Sequence, residues 1–259
     1  MVNYVIISMK AVPVGAKIYK KLVLRMHGFI GEFFGTMILI ILGCGCCAGN
    51  NLRKTNGQNS GWLFICLSWG LAVTMGVYVA GTLGSLGHLN PAVTIPFAIF
   101  GLFPWSQVLP YLLGQFLGAF VGAVIVIVQF YPHFKASHGE AEGNHVGNFA
   151  TRPAIANPLF NFLSEVIATF AFVYILLNLG NFTTGLKPFI VGMLIMVVGT
   201  CLGTTTGFAL NPARDWAPRF AYTIVPVPNK ADAEWNYAWV PMVGPLVGGL
   251  IACALYVAI

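Results

Sequence analysis

The tripeptide Asn-Pro-Ala occurs twice, at Asn90-Pro91-Ala92 and at Asn211-Pro212-Ala213. Each copy opens an apolar segment, 90–100 and 211–220. Neither segment can cross a bilayer core of about 30 Å, which takes about 20 helical residues. Six longer apolar runs surround them, at 23–47, 62–82, 107–131, 160–179, 188–202 and 238–259. The order run, run, Asn-Pro-Ala, run is therefore played twice. Gly31-Glu32-Phe33 lies near the start of the first set and Ser164-Glu165-Val166 near the start of the second. Three spans separate equivalent points, so the second copy is upside down relative to the first. An inverted repeat with a pair of short, interrupted segments points to a transport site near the midplane. The expected architecture is an all-α membrane protein with six transmembrane helices and two half-helices. An N-terminal segment, 1–22, precedes one domain, 23–259, whose repeats cover 23–131 and 160–259.

Composition narrows the alternatives. Hydrophobic residues make up 58% of the chain and charged ones 8%, against about 25% charged in an ordinary soluble domain. So few charges cannot cover a surface in water, and they argue against disorder and nucleic-acid binding. The early positive charges, Lys10, Lys17, Lys20, Lys21 and Arg25, stand with no acid before Glu32. Glu140, Glu142, Asp232 and Glu234 fall in loops, 132–158 and 221–237, on the opposite side. Both termini are then cytoplasmic. The apolar run after the lysines is too long for the core of a cleavable signal. The sequon Asn181-Phe182-Thr183 falls in a loop expected to be cytoplasmic, which discounts it. Cys44, Cys46, Cys47, Cys66, Cys201 and Cys253 all lie in apolar runs, which argues against a disulfide framework. The Cys44–Cys47 cluster reads as small residues packing at a helix end, with no metal or cofactor expected. His133, His138 and His145 read as a solvated outer loop. With no nucleophile–base arrangement in view, an enzyme is the poorest reading.

The paired short segments carry the chemistry. Asn is a preferred N-cap, and Pro fits the first helical turn because its missing N–H is not needed there. Two half-helices entering from opposite faces would abut at their N-termini, each carrying about half a positive charge. That field repels cations, hydronium included, while Asn90 and Asn211 still donate hydrogen bonds to a neutral permeant. Non-helical backbone is tolerated at membrane depth only where it lines a wet cavity. The carbonyls of Gly87, His88, Leu89, Gly207, Phe208 and Ala209 are therefore candidate acceptors. His88 itself is open to two readings, pore-lining or structural. Pro96 removes a bond to Ala92 and is expected to kink the first half-helix. Glycines four apart, at Gly31/Gly35, Gly114/Gly118/Gly122, Gly199/Gly203 and Gly244/Gly248, predict close helix contacts.

These residues resemble the major intrinsic protein family, and within it the aquaglyceroporins of the glycerol-facilitator type. The resemblance covers 26–259. Its most specific parts are His88-Leu89-Asn90-Pro91-Ala92-Val93-Thr94 and Gly207-Phe208-Ala209-Leu210-Asn211-Pro212-Ala213-Arg214-Asp215. It implies a homotetramer with one pore per subunit. It also implies a narrow outer filter made by Trp69, Gly199, Phe208 and Arg214, with Gly199 where water-selective members commonly carry His. Glu32 and Glu165 would each accept N–H groups from the stretch before a half-helix, and Asp215 with Arg219 resembles the glycerol branch. The stretch 85–88 is one residue longer than the family spacing.

The function implied is a passive channel for glycerol and other small neutral solutes such as urea, together with water. Two alternatives stand beside it. One is a water-selective channel of the same fold. The other is a proton-coupled carrier using Glu32 and Glu165. For Arg214 the competing reading is an ion pair with Asp215.

Overall fold

The computed structural model describes residues 14–137 and 145–259, with side chains described from residue 25. Lys10, Lys17, Lys20 and Lys21, which set the expected orientation, and His138, Glu140 and Glu142 have side chains outside the described residues. Among the described residues every regular element is helical: α1 (Val14–Asn51), α2 (Trp62–Thr82), α3 (Pro91–Ile99), α4 (Trp105–Gln129), α5 (Tyr131–Ala136), α6 (Pro158–Asn178), α7 (Lys187–Leu202), α8 (Pro212–Ile224) and α9 (Trp239–Ala258). A 3₁₀ turn, His145–Asn148, lies between α5 and α6.

Five of these helices have an apolar stretch long enough to span a membrane, namely the Arg25–Asn51 part of α1 with α2, α4, α6 and α9. The fifth expected span is α7, whose 16 residues give about 24 Å. It stops short because the chain turns at Gly203 into a loop where Ala154 N–H donates to the Thr205 carbonyl at 2.9 Å. Large apolar side chains face outward along the bundle, among them Leu63, Leu109, Val128, Phe160 and Ile167. In a lipid solvent that exposure costs nothing.

The packing runs in matched pairs. α1 lies on α4 as α6 lies on α9, and α2 lies on α7. Each half-helix then reaches across, α3 to α9 and α8 to α4. Glycine makes the close crossings possible. A Cβ on Gly114 would sit 2.6 Å from the Phe29 carbonyl oxygen, and one on Gly118 would strike the Phe33 carbonyl. On α9, a Cβ on Gly244 would sit 2.8 Å from the Glu165 Cβ, and one on Gly248 would strike the Val166 carbonyl. Gly199 and Gly203 depart from the expected role. What fills the space over them is the Phe208 ring, with Phe208 Cζ 2.9 Å from a Cβ on Gly199, so they seat a ring.

Two of the boundaries differ from expectation: α1 runs on to Asn51 and α8 extends to Ile224, whereas α3 passes through Pro96 and ends at Ile99, as expected. The Ala92 carbonyl, which Pro96 deprives of its helical donor, lies against Gly249 of α9. The loops at the Asn51 end of α1 are tied down. Asn51 Nδ2 donates to Asn148 Oδ1 at 2.9 Å, and Asn229 Nδ2 donates to the Ser137 carbonyl at 2.7 Å. His145 is buried, with its ring 5.6 Å from Phe134, so it does not belong to a solvated loop. His133 comes nearer to that expectation, being only partly buried, with its Nδ1 3.0 Å from the Arg53 carbonyl.

Gly118→Val and Gly248→Val are each expected to destabilise the protein by about 1–3 kcal/mol, because carbonyl backbone faces both sites. Gly49→Ala, with nothing within 4 Å of the added Cβ, is the control. Thermal unfolding in detergent reads the difference.

Candidate functional site

The centre is built from backbone that two carboxylates hold open. Leu89 and Leu210, the residues before each Asn, have φ of 51° and 54°, and Phe208 has φ of 41°. Bulky residues in this left-handed region each cost about 1–3 kcal/mol. The compensation comes from Glu32 and Glu165, both fully buried. Glu32 accepts from His88 N–H at 2.9 Å and Leu89 N–H at 2.7 Å, and from the Ser85 hydroxyl and Gln115 Nε2. Glu165 accepts from Ala209 N–H at 2.9 Å, Leu210 N–H at 3.1 Å and the Thr206 hydroxyl at 2.7 Å. Ser85 and Thr206 each stand five residues before their Asn, so the two stretches keep step from that point on. Between Ser85 and Asn90 the first copy therefore holds no residue in excess over the second.

The two half-helices meet head to head. Asn90 Oδ1 caps α3 through Ala92 N–H at 2.8 Å, and Asn211 Oδ1 caps α8 through Ala213 and Arg214 N–H at 3.0 and 3.2 Å. Each amide then reaches across the junction. Asn90 Nδ2 donates to the Leu210 carbonyl at 2.8 Å, and Asn211 Nδ2 donates to the Leu89 carbonyl at 2.7 Å. An amide carries two N–H donors, so one on each Asn remains for a permeant. Counted back from each Asn, Leu210 is the partner of Leu89. The acceptor set named from sequence did not include Leu210, whose carbonyl serves the Asn90 amide. Counting both copies from their Asn would have found it.

Two cavities meet here. A cavity of about 620 Å³ runs from Lys187 and Pro188 past His88, Asn90 and Asn211 to Trp69, Phe208 and Arg214. A second, of about 380 Å³, opens between Asn50, Trp62 and Arg152 and ends on the same Trp69, Phe208 and Arg214. The three residues common to both mark the constriction. Gly87, Leu89 and Ala209 line the first cavity and Gly207 the second. His88 also borders the first cavity, with Nδ1 3.1 Å from the Thr94 hydroxyl and its ring among Phe97, Phe103 and Tyr111.

At the constriction the Arg214 guanidinium carbon lies 4.2 Å from the centre of the Trp69 ring, a cation–π contact. Arg214 Nη1 donates to the Phe149 carbonyl at 3.2 Å, and Trp69 Nε1 donates to Cys47 Sγ at 3.4 Å. The Asp215 alternative does not hold. Asp215 Oδ1 pairs with Arg219 at 2.9 Å, both fully buried, and its Oδ2 accepts from Thr151 N–H and hydroxyl at 2.7 Å. Arg219 also donates to the Ala233 and Thr151 carbonyls. The pair thus holds the outer loops that present the Phe149 carbonyl. Gly199 lines neither cavity. It makes room for the Phe208 ring, which also packs edge-on against Trp62 at 5.6 Å, while Trp62 Nε1 donates to the Gly199 carbonyl at 3.2 Å. Trp62 and the Phe149 carbonyl carry no signal in the sequence, since both act through tertiary contact.

Neither Glu32 nor Glu165 lines either of these two cavities. Replacing either by Gln puts an N–H₂ group among donors, and the expected loss is about 1–3 kcal/mol of stability. Thermal unfolding of Glu32→Gln and Glu165→Gln, beside the surface control Asn178→Gln, measures it. An unchanged midpoint would refute the bracing role.

Comparison with known proteins places this geometry. The model of the family "Major intrinsic protein" matches residues 20–256. Glycerol uptake facilitator protein 2 of Lactiplantibacillus plantarum is 67% identical over 230 residues, which is 89% of this chain and 98% of that protein. The glycerol uptake facilitator protein of Bacillus subtilis is 47% identical over 233 residues, 89% of this chain and 84% of that protein. Among solved structures, the aquaglyceroporin from Plasmodium falciparum superposes with a TM-score of 0.78 at 33% identity, covering 90% of this chain and 95% of that one.

Proposed function

The chain belongs to the major intrinsic protein family, and we propose that it is a passive transmembrane channel for glycerol and other small neutral solutes, with water, that excludes ions and protons. It is an integral membrane transporter and not an enzyme. The observation that carries the reading is the constriction shared by the two cavities. Trp69 and Phe208 offer an apolar corner for a carbon chain, while Arg214 offers fixed donors to hydroxyls. A polyol, with one apolar and one hydroxylated edge, suits both walls. Behind the constriction the crossed Asn90 and Asn211 amides supply donors beside the backbone carbonyls of 87–89 and 207–210. The opposed helix ends disfavour cations there.

Several finer features belong to the proposal. The pore is one domain, 23–259, of two inverted copies, and the chain assembles as a homotetramer in the plasma membrane with both termini cytoplasmic. Water and urea accompany glycerol as permeants. The carrier reading is weaker, because Glu32 and Glu165 spend their oxygens on the unwound backbone and line neither of the two cavities that meet at the constriction.

Reconstituted in vesicles, the protein is expected to give glycerol reswelling at least tenfold above empty vesicles, unaffected by an uncoupler. Stopped-flow light scattering decides this, and reswelling no faster than empty vesicles would overturn the channel. Gly199→His is expected to push the Phe208 ring into the passage. Glycerol flux then falls by an order of magnitude while water flux falls less than threefold. Equal loss of both would remove Gly199 and Phe208 from the filter.

A further inference from the structure

A third cavity, of about 550 Å³, lies outside the pore, between the start of the spanning part of α1 and the start of α4. Its walls are almost wholly apolar, with Met26, Phe29, Trp105, Leu109 and Leu113 among them. Met26, Trp105 and Leu109 are all more than half exposed. Arg25 stands at its edge, and its Nε donates to the Ser106 carbonyl at 3.1 Å. No other bond from the guanidinium is made among the described residues, so that bond orients the group and leaves both Nη free for an anion. Trp105 beside it is the kind of side chain that sits at headgroup level.

An apolar groove facing lipid does not choose its occupant by hydrophobicity, because an acyl chain is as comfortable in the bilayer as in the groove. The choice rests with the polar edge. A fixed guanidinium at one end of a chain-sized apolar groove matches a phosphate joined to an acyl chain. The turns of α1 before Arg25 also carry Lys17, Lys20 and Lys21, which raises the local concentration of anionic lipid. We propose that this groove is a binding site for an anionic phospholipid, with an acyl chain along Phe29 and Leu109 and the phosphate on Arg25.

The test reads Trp105 as the reporter. The full-length protein is reconstituted into vesicles in which phosphatidylglycerol or phosphatidylcholine carries brominated chains, and Trp105→Phe isolates the quenching that belongs to Trp105. The expected result is half-maximal quenching at a severalfold lower mole fraction of brominated phosphatidylglycerol than of brominated phosphatidylcholine. Arg25→Gln removes most of the preference, Arg25→Lys keeps most of it, and replacing the three lysines by Gln leaves most of it in place. Glycerol flux reports that the variants are folded. Equal quenching by both lipids, a preference that survives Arg25→Gln, or one lost with the lysines alone would overturn the proposal. So would shielding of Trp105 from both lipids, which would mean that residues 1–13 or a second copy of the chain covers the groove.

Discussion

The structure depends on two carboxylates that accept backbone N–H groups in the middle of the bundle. A membrane offers no water to satisfy an unwound backbone, and both unwound stretches here carry leucines in a left-handed conformation. Glu32 and Glu165 take the N–H groups of each strained leucine and of the residue before it, while hydroxyls at Ser85 and Thr206 fill the remaining approach. With those bonds made, the carbonyls of the same stretches turn the other way. Two of them, on Leu89 and Leu210, receive the Asn amides of the opposite copy. The junction is thus closed by bonds between the copies, and neither half-helix can settle without the other.

From that junction outward, backbone approach does most of the shaping. Glycines let carbonyls lie against helices where a methyl group would not fit, and the same absence of a side chain at Gly199 and Gly203 seats the Phe208 ring. The constriction is then a property of stacked layers. Trp62 holds Phe208 from outside, Trp69 lies under Arg214, and the Phe149 carbonyl holds the guanidinium from an outer loop. That loop is itself secured by the buried Asp215–Arg219 pair. Removing one member of such a pair would strand the other charge in the interior, so the pair supports the constriction without lining either cavity.

Much of the fold was legible because membrane segments announce themselves by length and apolarity, and because Asn followed by Pro is a helix start whatever surrounds it. The doubled tripeptide located both half-helices and the matching Glu positions pointed to their braces. The misreadings share a physical cause. His145 looked like a loop residue by sequence position, yet it is buried under Phe134. Gly199 and Gly203 matched a helix-contact spacing, yet a ring from the re-entrant loop fills the space. The competing reading of Arg214 paired it with Asp215, its neighbour in sequence, while Arg219, four residues on, was the partner in reach of Asp215. Local spacing cannot report which distant element arrives at a given face.

The sequence by itself determined the class of structure and the number of its parts. Scarce charge left the bilayer as the only suitable solvent, and the inverted order of runs and tripeptides set two half-helices nose to nose. Only the tertiary structure decided which atoms face the passage. That choice turns on hydrogen bonds between residues as far apart as Asn90 and Leu210, and on packing distances of a few tenths of an ångström around glycine, neither of which is encoded in any local pattern.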